Sequence, residues 1–257
     1  MQLFVVDASV VAHPRRGPRR RWLAAFAAGA LIAPGTACWA DEPPPPEGDV
    51  RTEAAAPLPE FTDVTVGSVA VTAAGFLTAF VVHEACHGVA NLAMGNVPSL
   101  QPVWFLGFLP FFAVSPGVTC QNGTCVRRDG TPFFPGPRGY ATIVSAGIVC
   151  QEVTNEIILT VRPGIRMERA PFLKGMLLFN TAASVAYGIA NLAGIEPPEG
   201  DIRGLDGVSR LPHGVFAAVV LGTAALDVAR YFLPDSQWLP WVSRGSKVVT
   251  IGLVVAF

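Results

Sequence analysis

The chain has 257 residues, of which 51% are hydrophobic and only 14% are charged, and its mean hydropathy is +0.45. Soluble domains carry about 25% charged residues, so this composition argues against a soluble domain and predicts a multi-span protein that has the lipid bilayer as a partner. The net charge of −1 gives no reason to expect nucleic acid as a partner.

The first 63 residues have the pattern of a targeting segment followed by a linker. Five arginines between positions 15 and 21 precede the apolar run 22–35 and small residues up to Ala40. This order predicts a secretory signal peptide over residues 1–40, and an uncleaved N-terminal anchor helix is the alternative. Residues 41–63 are rich in Pro, Glu and Ala without an apolar period, which predicts a flexible linker.

The segment 64–95 is apolar and long enough to cross a bilayer as a helix, yet it carries His83, Glu84 and His87 in the order H-E-x-x-H. On a helix, the two histidines lie four residues apart on one face, where both can bind one Zn²⁺. Glu84 lies beside them as the base for a metal-bound water. A pair of hydrogen-bonded core histidines is the alternative. The metal site is favoured, because the chain has only four histidines and two form the motif.

The letters HEACH inside an apolar span, followed by Gly88, resemble the motif of the site-2 protease family of intramembrane zinc metalloproteases. A second, weaker match is the segment 195–207, IEPPEGDIRGLDG. The resemblance covers residues 64 to about 211 and implies the family's three-helix core, with a membrane-embedded loop against the active site. It also implies a transmembrane helix or a membrane-associated peptide as the substrate.

The segment 195–207 offers two aspartates as the third metal ligand. Asp206 stands in Leu-Asp-Gly, which copies letters of the family motif, whereas Asp201 follows a Pro pair and Gly200. An aspartate directly after such a chain break can point back into the cavity. In a helix the two carboxylates would face ~140° apart and could not share one ion. Asp201 is therefore the predicted ligand, with Asp206 as the alternative.

Residues 99–118 are aromatic, too short to span comfortably and interrupted by three prolines. They predict a re-entrant or membrane-embedded hairpin, with a short span as the competing interpretation. Cys120 and Cys125 bracket an Asn-Gly turn, which predicts a disulfide in an oxidising compartment or two free thiols in a cytosolic loop. Cys86, off the histidine face, is predicted to serve in helix packing.

Three further helices are predicted at about 138–161, 172–194 and 215–233. They carry the polar residues predicted to line the cavity, which are Gln151, Glu152, Asn180 and Asn191. Glu152 or Glu156 faces the metal, or else marks the helix end in the headgroups.

Charged residues also occur near the C-terminus of the chain. Asp227 and Arg230 predict an ion pair on one helix face. The apolar run 238–257, which Arg244 and Lys247 interrupt, is expected at the membrane interface.

Together these patterns predict an all-α membrane protein. Residues 64–257 would form a polytopic bundle of about four to six helices, with a re-entrant loop after the H-E-x-x-H helix. The predicted function is zinc-dependent cleavage of a membrane-embedded or membrane-associated polypeptide, in the bacterial inner membrane. The alternatives are an inactive binding or scaffold protein of the same fold, and a metal-binding transporter.

The direction in which the predicted bundle crosses the membrane stays open. Metal binding requires the motif and the aspartate segment on the same side. A cytoplasmic motif would place the basic residues between 162 and 174 outside, against the positive-inside rule.

Overall fold

The structure is a computed structural model that describes residues 65–105, 109–121, 123–196 and 200–256. The predicted signal peptide 1–40 and the linker 41–63 lie outside the described residues. The described chain is mostly helical, as predicted, and four of its helices are long and apolar enough to cross a membrane.

Among the described residues, two hairpins of strands lie between the first two helices, and only helices follow them. The helices are α1 (Val66–Ala93), α2 (Gly136–Val161), α3 (Pro171–Leu192), α4 (Asp201–Val208), α5 (Val215–Phe232) and α6 (Leu239–Ala256). The strands are β1 (Ser99–Phe105), β2 (Leu109–Ser115), β3 (Val118–Gln121) and β4 (Thr124–Arg127), and a short 3₁₀ turn spans Ile165–Met167. The four apolar helices are α1, α2, α3 and α5, and their ends lie within two residues of the predicted ones.

One stripe of α1 is buried while the rest of its surface is largely open. The helix begins with a capping box, in which Thr65 and Ser68 each accept a hydrogen bond from the other's backbone N–H at 3.1 Å. The buried residues recur every four positions, and they are Gly75, Ala79, His83, His87 and Asn91. Both motif histidines therefore point into the bundle, because residues four apart share one helix face.

Helices α1 and α3 approach each other closely through a reciprocal pair of glycines. A Cβ on Gly75 would lie 1.9 Å from the Phe172 carbonyl oxygen, and a Cβ on Gly175 would lie 2.0 Å from that of Thr72. Small residues permit such close packing between membrane helices. The contact holds α3 against the helix that carries the motif.

The two hairpins are antiparallel and follow α1 directly. In the first, the pairing of β1 with β2 runs from Ser99 opposite Ser115 to Phe105 opposite Leu109, so the hairpin predicted over 99–118 has formed. In the second, Cys120 lies opposite Cys125 and the two are joined by the predicted disulfide.

A second disulfide, between Cys86 and Cys150, joins α1 to α2. The interpretation of Cys86 as a packing residue is therefore wrong. Its side chain lies off the histidine face but is turned toward α2, where the Cα atoms of the two cysteines are 6.5 Å apart, within the range that a disulfide bridges.

An apolar cluster fixes the short helix α4 against the bundle. Ile202 and Leu205, both almost fully buried, pack with Val144 and Ile148 of α2 and with Phe216 of α5. This packing holds the first residue of α4, Asp201, in place.

A buried ion-pair network joins α2, α5 and α6. Lys247 Nζ lies 2.7 Å from Asp227 Oδ1 and 2.8 Å from Glu156 Oε2. Glu156 also binds Arg230 at 2.5 Å and Arg244 at 2.9 Å. Charged groups in membrane spans are costly unless they are paired, as these are.

This network overturns two predictions about charged residues. Glu156 does not face the metal site, because it binds three cations of α5 and α6. Asp227 and Arg230 are bound to Lys247 and Glu156 rather than to each other. Lys247 is 1% exposed because α6 packs against α2 and α5, and the position of this run at the membrane interface stays a prediction.

Candidate metal centre

Three side chains converge on one point between α1, α2 and α4. The Nε2 atoms of His83 and His87 are 3.2 Å apart, and each lies 3.3 Å from a carboxylate oxygen of Asp201. All three residues are buried. Each can offer one ligand atom to a shared metal ion.

The local sequence explains how the aspartate reaches the histidines. Gly200 precedes α4, and a Cβ there would lie 2.3 Å from the Glu196 carboxylate, so a larger residue would displace the Glu196 side chain. Glu196 Oε1 accepts a hydrogen bond from the backbone N–H of Ile202 at 3.1 Å. Helix α4 therefore starts with Asp201 in its first turn, where the helix dipole stabilises a negative charge.

The electrostatic surroundings keep Asp201 ionised. Burial raises the pKa of this carboxyl, but the adjoining His87 and His83 outweigh it and hold the pKa of Asp201 well below its usual range. The carboxylate is thus available as an anionic ligand.

Glu84 lies beside the ligand group and is held by the first hairpin. Its Oε1 is 3.9 Å from His83 Nε2, and its Oε2 accepts a hydrogen bond from the backbone N–H of Val114 at 2.6 Å. This bond joins the motif helix to β2 and fixes the direction of the carboxylate.

Neighbouring helices orient the two imidazoles. His87 Nδ1 lies 2.7 Å from the backbone carbonyl oxygen of Ile143, which directs Nε2 toward the ligand group. The ring of Tyr187 is stacked on His83 with centroids 6.0 Å apart, and Phe179 lies edge-on at 6.4 Å.

Gly147 of α2 is a site residue that the sequence analysis missed. A Cβ at this position would lie 2.4 Å from His87 Nε2 and 2.5 Å from His83 Nε2. It would fill the space between the two ligand atoms. The absence of a side chain at Gly147 therefore leaves room for an ion, and a glycine in an apolar helix gives no chemical signal in the sequence.

The alternative ligand, Asp206, lies elsewhere, on a cavity of about 930 Å³ between β3 and α4. Its Oδ2 accepts a hydrogen bond from Asn191 at 3.1 Å and lies 2.9 Å from His213 Nδ1. Asn191 also donates to Glu196, another cavity residue, at 2.9 Å. Burial raises the pKa of Glu196, against the opposing effect of this amide.

The four residues predicted to line the cavity are not gathered in one place. Asn191 lines the cavity beside α4. Asn180 donates to Asn155, which in turn donates to Asp227 of the network. Glu152 is buried near Thr250 and Lys247 of α6. Gln151 is buried, and among the described residues its side-chain oxygen and nitrogen atoms have no hydrogen-bond partner.

The chain was compared with protein-family profiles, curated proteins and solved structures. No family profile, curated protein or solved structure matches it.

Proposed function

We propose that this chain is an intramembrane zinc metalloprotease similar to the site-2 proteases. The observation that carries the proposal is the close approach of His83, His87 and Asp201. The two Nε2 atoms are 3.2 Å apart, Asp201 Oδ2 lies 3.3 Å from His83 Nε2, and Asp201 Oδ1 lies 3.3 Å from His87 Nε2. Bonds of about 2.0–2.1 Å in tetrahedral geometry place zinc ligands about 3.3 Å apart.

The chemistry of the ligand set also favours catalytic zinc. Two imidazoles and one carboxylate make three protein ligands, which is the number that catalytic zinc sites use while one position stays open. Structural sites are closed by four ligands, and the described residues bring only three together.

Glu84 would act as the general base. Zinc, when bound, supplies a Lewis acid that acidifies water and polarises the scissile carbonyl. Glu84 takes the proton of the attacking water and passes it to the leaving amine. The hydrogen bond from Val114 keeps its Oε2 occupied, so Oε1, on the side of His83, is the oxygen that accepts the proton.

The first hairpin supports a polypeptide substrate. The N–H of Val114 points away from β1 toward Glu84, so the outer edge of β2 passes beside the proposed base. An extended peptide can add to such an edge through main-chain hydrogen bonds. We propose that the hairpin is the re-entrant loop and that the four apolar helices place the site in the bacterial inner membrane.

The first experiment measures metal. Detergent-purified wild type should carry about one zinc per chain, since the described residues contain one group of three ligands. The variant His83→Ala/His87→Ala and the variant Asp201→Asn should lose it, and Asp206→Asn should keep it as the matched control. A wild type without bound zinc would contradict the metal centre. If Asp201→Asn kept its zinc and Asp206→Asn lost it, Asp206 would be the third ligand.

The second experiment measures cleavage without a known substrate. Cells that express the wild type or Glu84→Gln are compared for new protein N-termini in the membrane fraction. Glu84→Gln should keep its zinc, because the base is not a ligand, and should produce none of the new termini. Identical termini in both strains would exclude the protease and leave a scaffold protein or a metal transporter.

A further inference from the structure

The two histidines of the proposed zinc site differ in how their second ring nitrogen is held. A metal-binding histidine almost always hydrogen-bonds through the nitrogen that does not face the ion, which fixes its tautomer and its direction. His87 meets this rule through the carbonyl oxygen of Ile143 at 2.7 Å. His83 Nδ1 is buried, yet within the described part of the chain it has no hydrogen-bond partner.

One face of α2 runs along both imidazoles. Ile143, Gly147 and Gln151 are four residues apart and therefore share this face. Ile143 lies at His87, and Gly147 lies against the rings of both histidines. Because α2 passes α1 in the opposite direction, the row from Ile143 at His87 continues past Gly147 toward the side of His83, and Gln151 is the next residue on it.

The side chain of Gln151 offers the kind of hydrogen-bond acceptor that His83 Nδ1 lacks. Its side chain is 2% exposed, and both its Oε1 and its Nε2 have no partner among the described residues. A buried amide without hydrogen bonds is rare and calls for an explanation. Gln151 lies one helical turn along α2 from Gly147, which contacts the His83 ring, so a small movement of either side chain would let the two unpartnered groups satisfy each other.

We infer that Gln151 is a positioning residue for His83. In the zinc-bound protein its Oε1 would accept the Nδ1–H of the imidazole, a bond that this structure does not contain, and the lone pair of Nε2 would be directed at the ion. The inference rests on the proposed function, because it needs a metal at His83. It places Gln151 behind the ligand, without contact to the substrate.

Metal affinity in purified protein tests the inference. Gln151→Leu and Gln151→Met remove the acceptor at similar volume and should weaken zinc binding about 10- to 100-fold in competition with a chelator. Gln151→Glu keeps an acceptor oxygen and should restore the affinity. The melting temperature of the metal-free protein should not fall in the Leu or Met variant, since each removes an unpartnered buried amide.

Thr223→Val is the matched control, because Thr223 of α5 is also 2% exposed and its hydroxyl is also without a partner among the described residues. It should leave zinc affinity unchanged. Wild-type affinity in Gln151→Leu and Gln151→Met, or failure of Gln151→Glu to restore it, would overturn the positioning role alone. If the wild type bound no zinc, the proposed function would fall and this inference with it.

Discussion

At the scale of single residues, Gly147 shows how a missing side chain shapes the site. Polar residues of a metal centre attract attention in a sequence, but the ion also needs space beside them. Here α2 supplies that space, since the position of a Cβ on Gly147 lies within 2.5 Å of both ligand nitrogens. The metal centre thus depends on the backbone of α2 at Gly147 as well as on the two histidines.

Gly147→Ala should abolish zinc binding while the protein still folds. The added methyl group displaces the imidazoles, which can rotate away, whereas the backbone keeps its course. The measurement is zinc content together with the melting temperature. Gly222→Ala is the control, because a Cβ there meets nothing within 4 Å, and it should keep its zinc and lose no stability. Full zinc occupancy in Gly147→Ala would contradict this account.

The sequence predicted those parts of the site that depend on local pattern. H-E-x-x-H in an apolar helix places two imidazoles on one face, whatever surrounds them. The choice of Asp201 over Asp206 likewise followed from a chain break next to the aspartate, and the geometry now sets Asp201 against both histidines. Gly147 and the Cys86–Cys150 disulfide depend on the register between α1 and α2, which no local pattern reveals.

At the scale of helices, α6 is held by charge as well as by apolar contact. The four apolar helices were predicted to within two residues, since apolar length is a local property. Their ion pairs were not, because Glu156 and Lys247 are 91 positions apart in the chain and meet only after the helices pack. The spacing of Asp227 and Arg230 suggested a pair within one helix, but cations and carboxylates of other helices lie closer.

Lys247→Met should lower the free energy of unfolding by about 3–5 kcal/mol, because it leaves the buried Asp227 carboxylate without its cation. Arg244→Ala removes a cation from the same Glu156 at a side chain that is 33% exposed, and it should cost no more than about 1 kcal/mol. Denaturant titration in detergent micelles measures both variants. Equal losses in the two would show that burial of the pair does not set its contribution.

At the scale of the whole molecule, we expect the four apolar helices to cross the membrane in turn and to leave the site on one side. Starting from the end of α1, both hairpins would then lie on the first side, α2 would cross to the second, α3 would return, and α5 would cross again. The carboxyl end of α1 and the start of α4 therefore share a side. This is the arrangement that a common metal ion demands, and it holds for either orientation of the bundle.

Single cysteines introduced in a Cys38→Ser background test this arrangement. Asp129→Cys, after β4, should react with a membrane-impermeant thiol reagent from one side only. Met167→Cys, before α3, and Gln237→Cys, after α5, should react only from the other side. Labelling of all three from the same side would contradict the four crossings. The side that labels Asp129→Cys also decides the orientation that the charge rule left open.

The ion-pair network has a consequence for how the chain enters the bilayer. Helix α6 is not among the four helices that are apolar enough to cross by themselves, and its Lys247 is costly in hydrocarbon until carboxylates neutralise it. Those carboxylates belong to α2 and α5, which are synthesised earlier. We therefore expect α6 to integrate late and cooperatively, into a bundle that already holds its counter-charges.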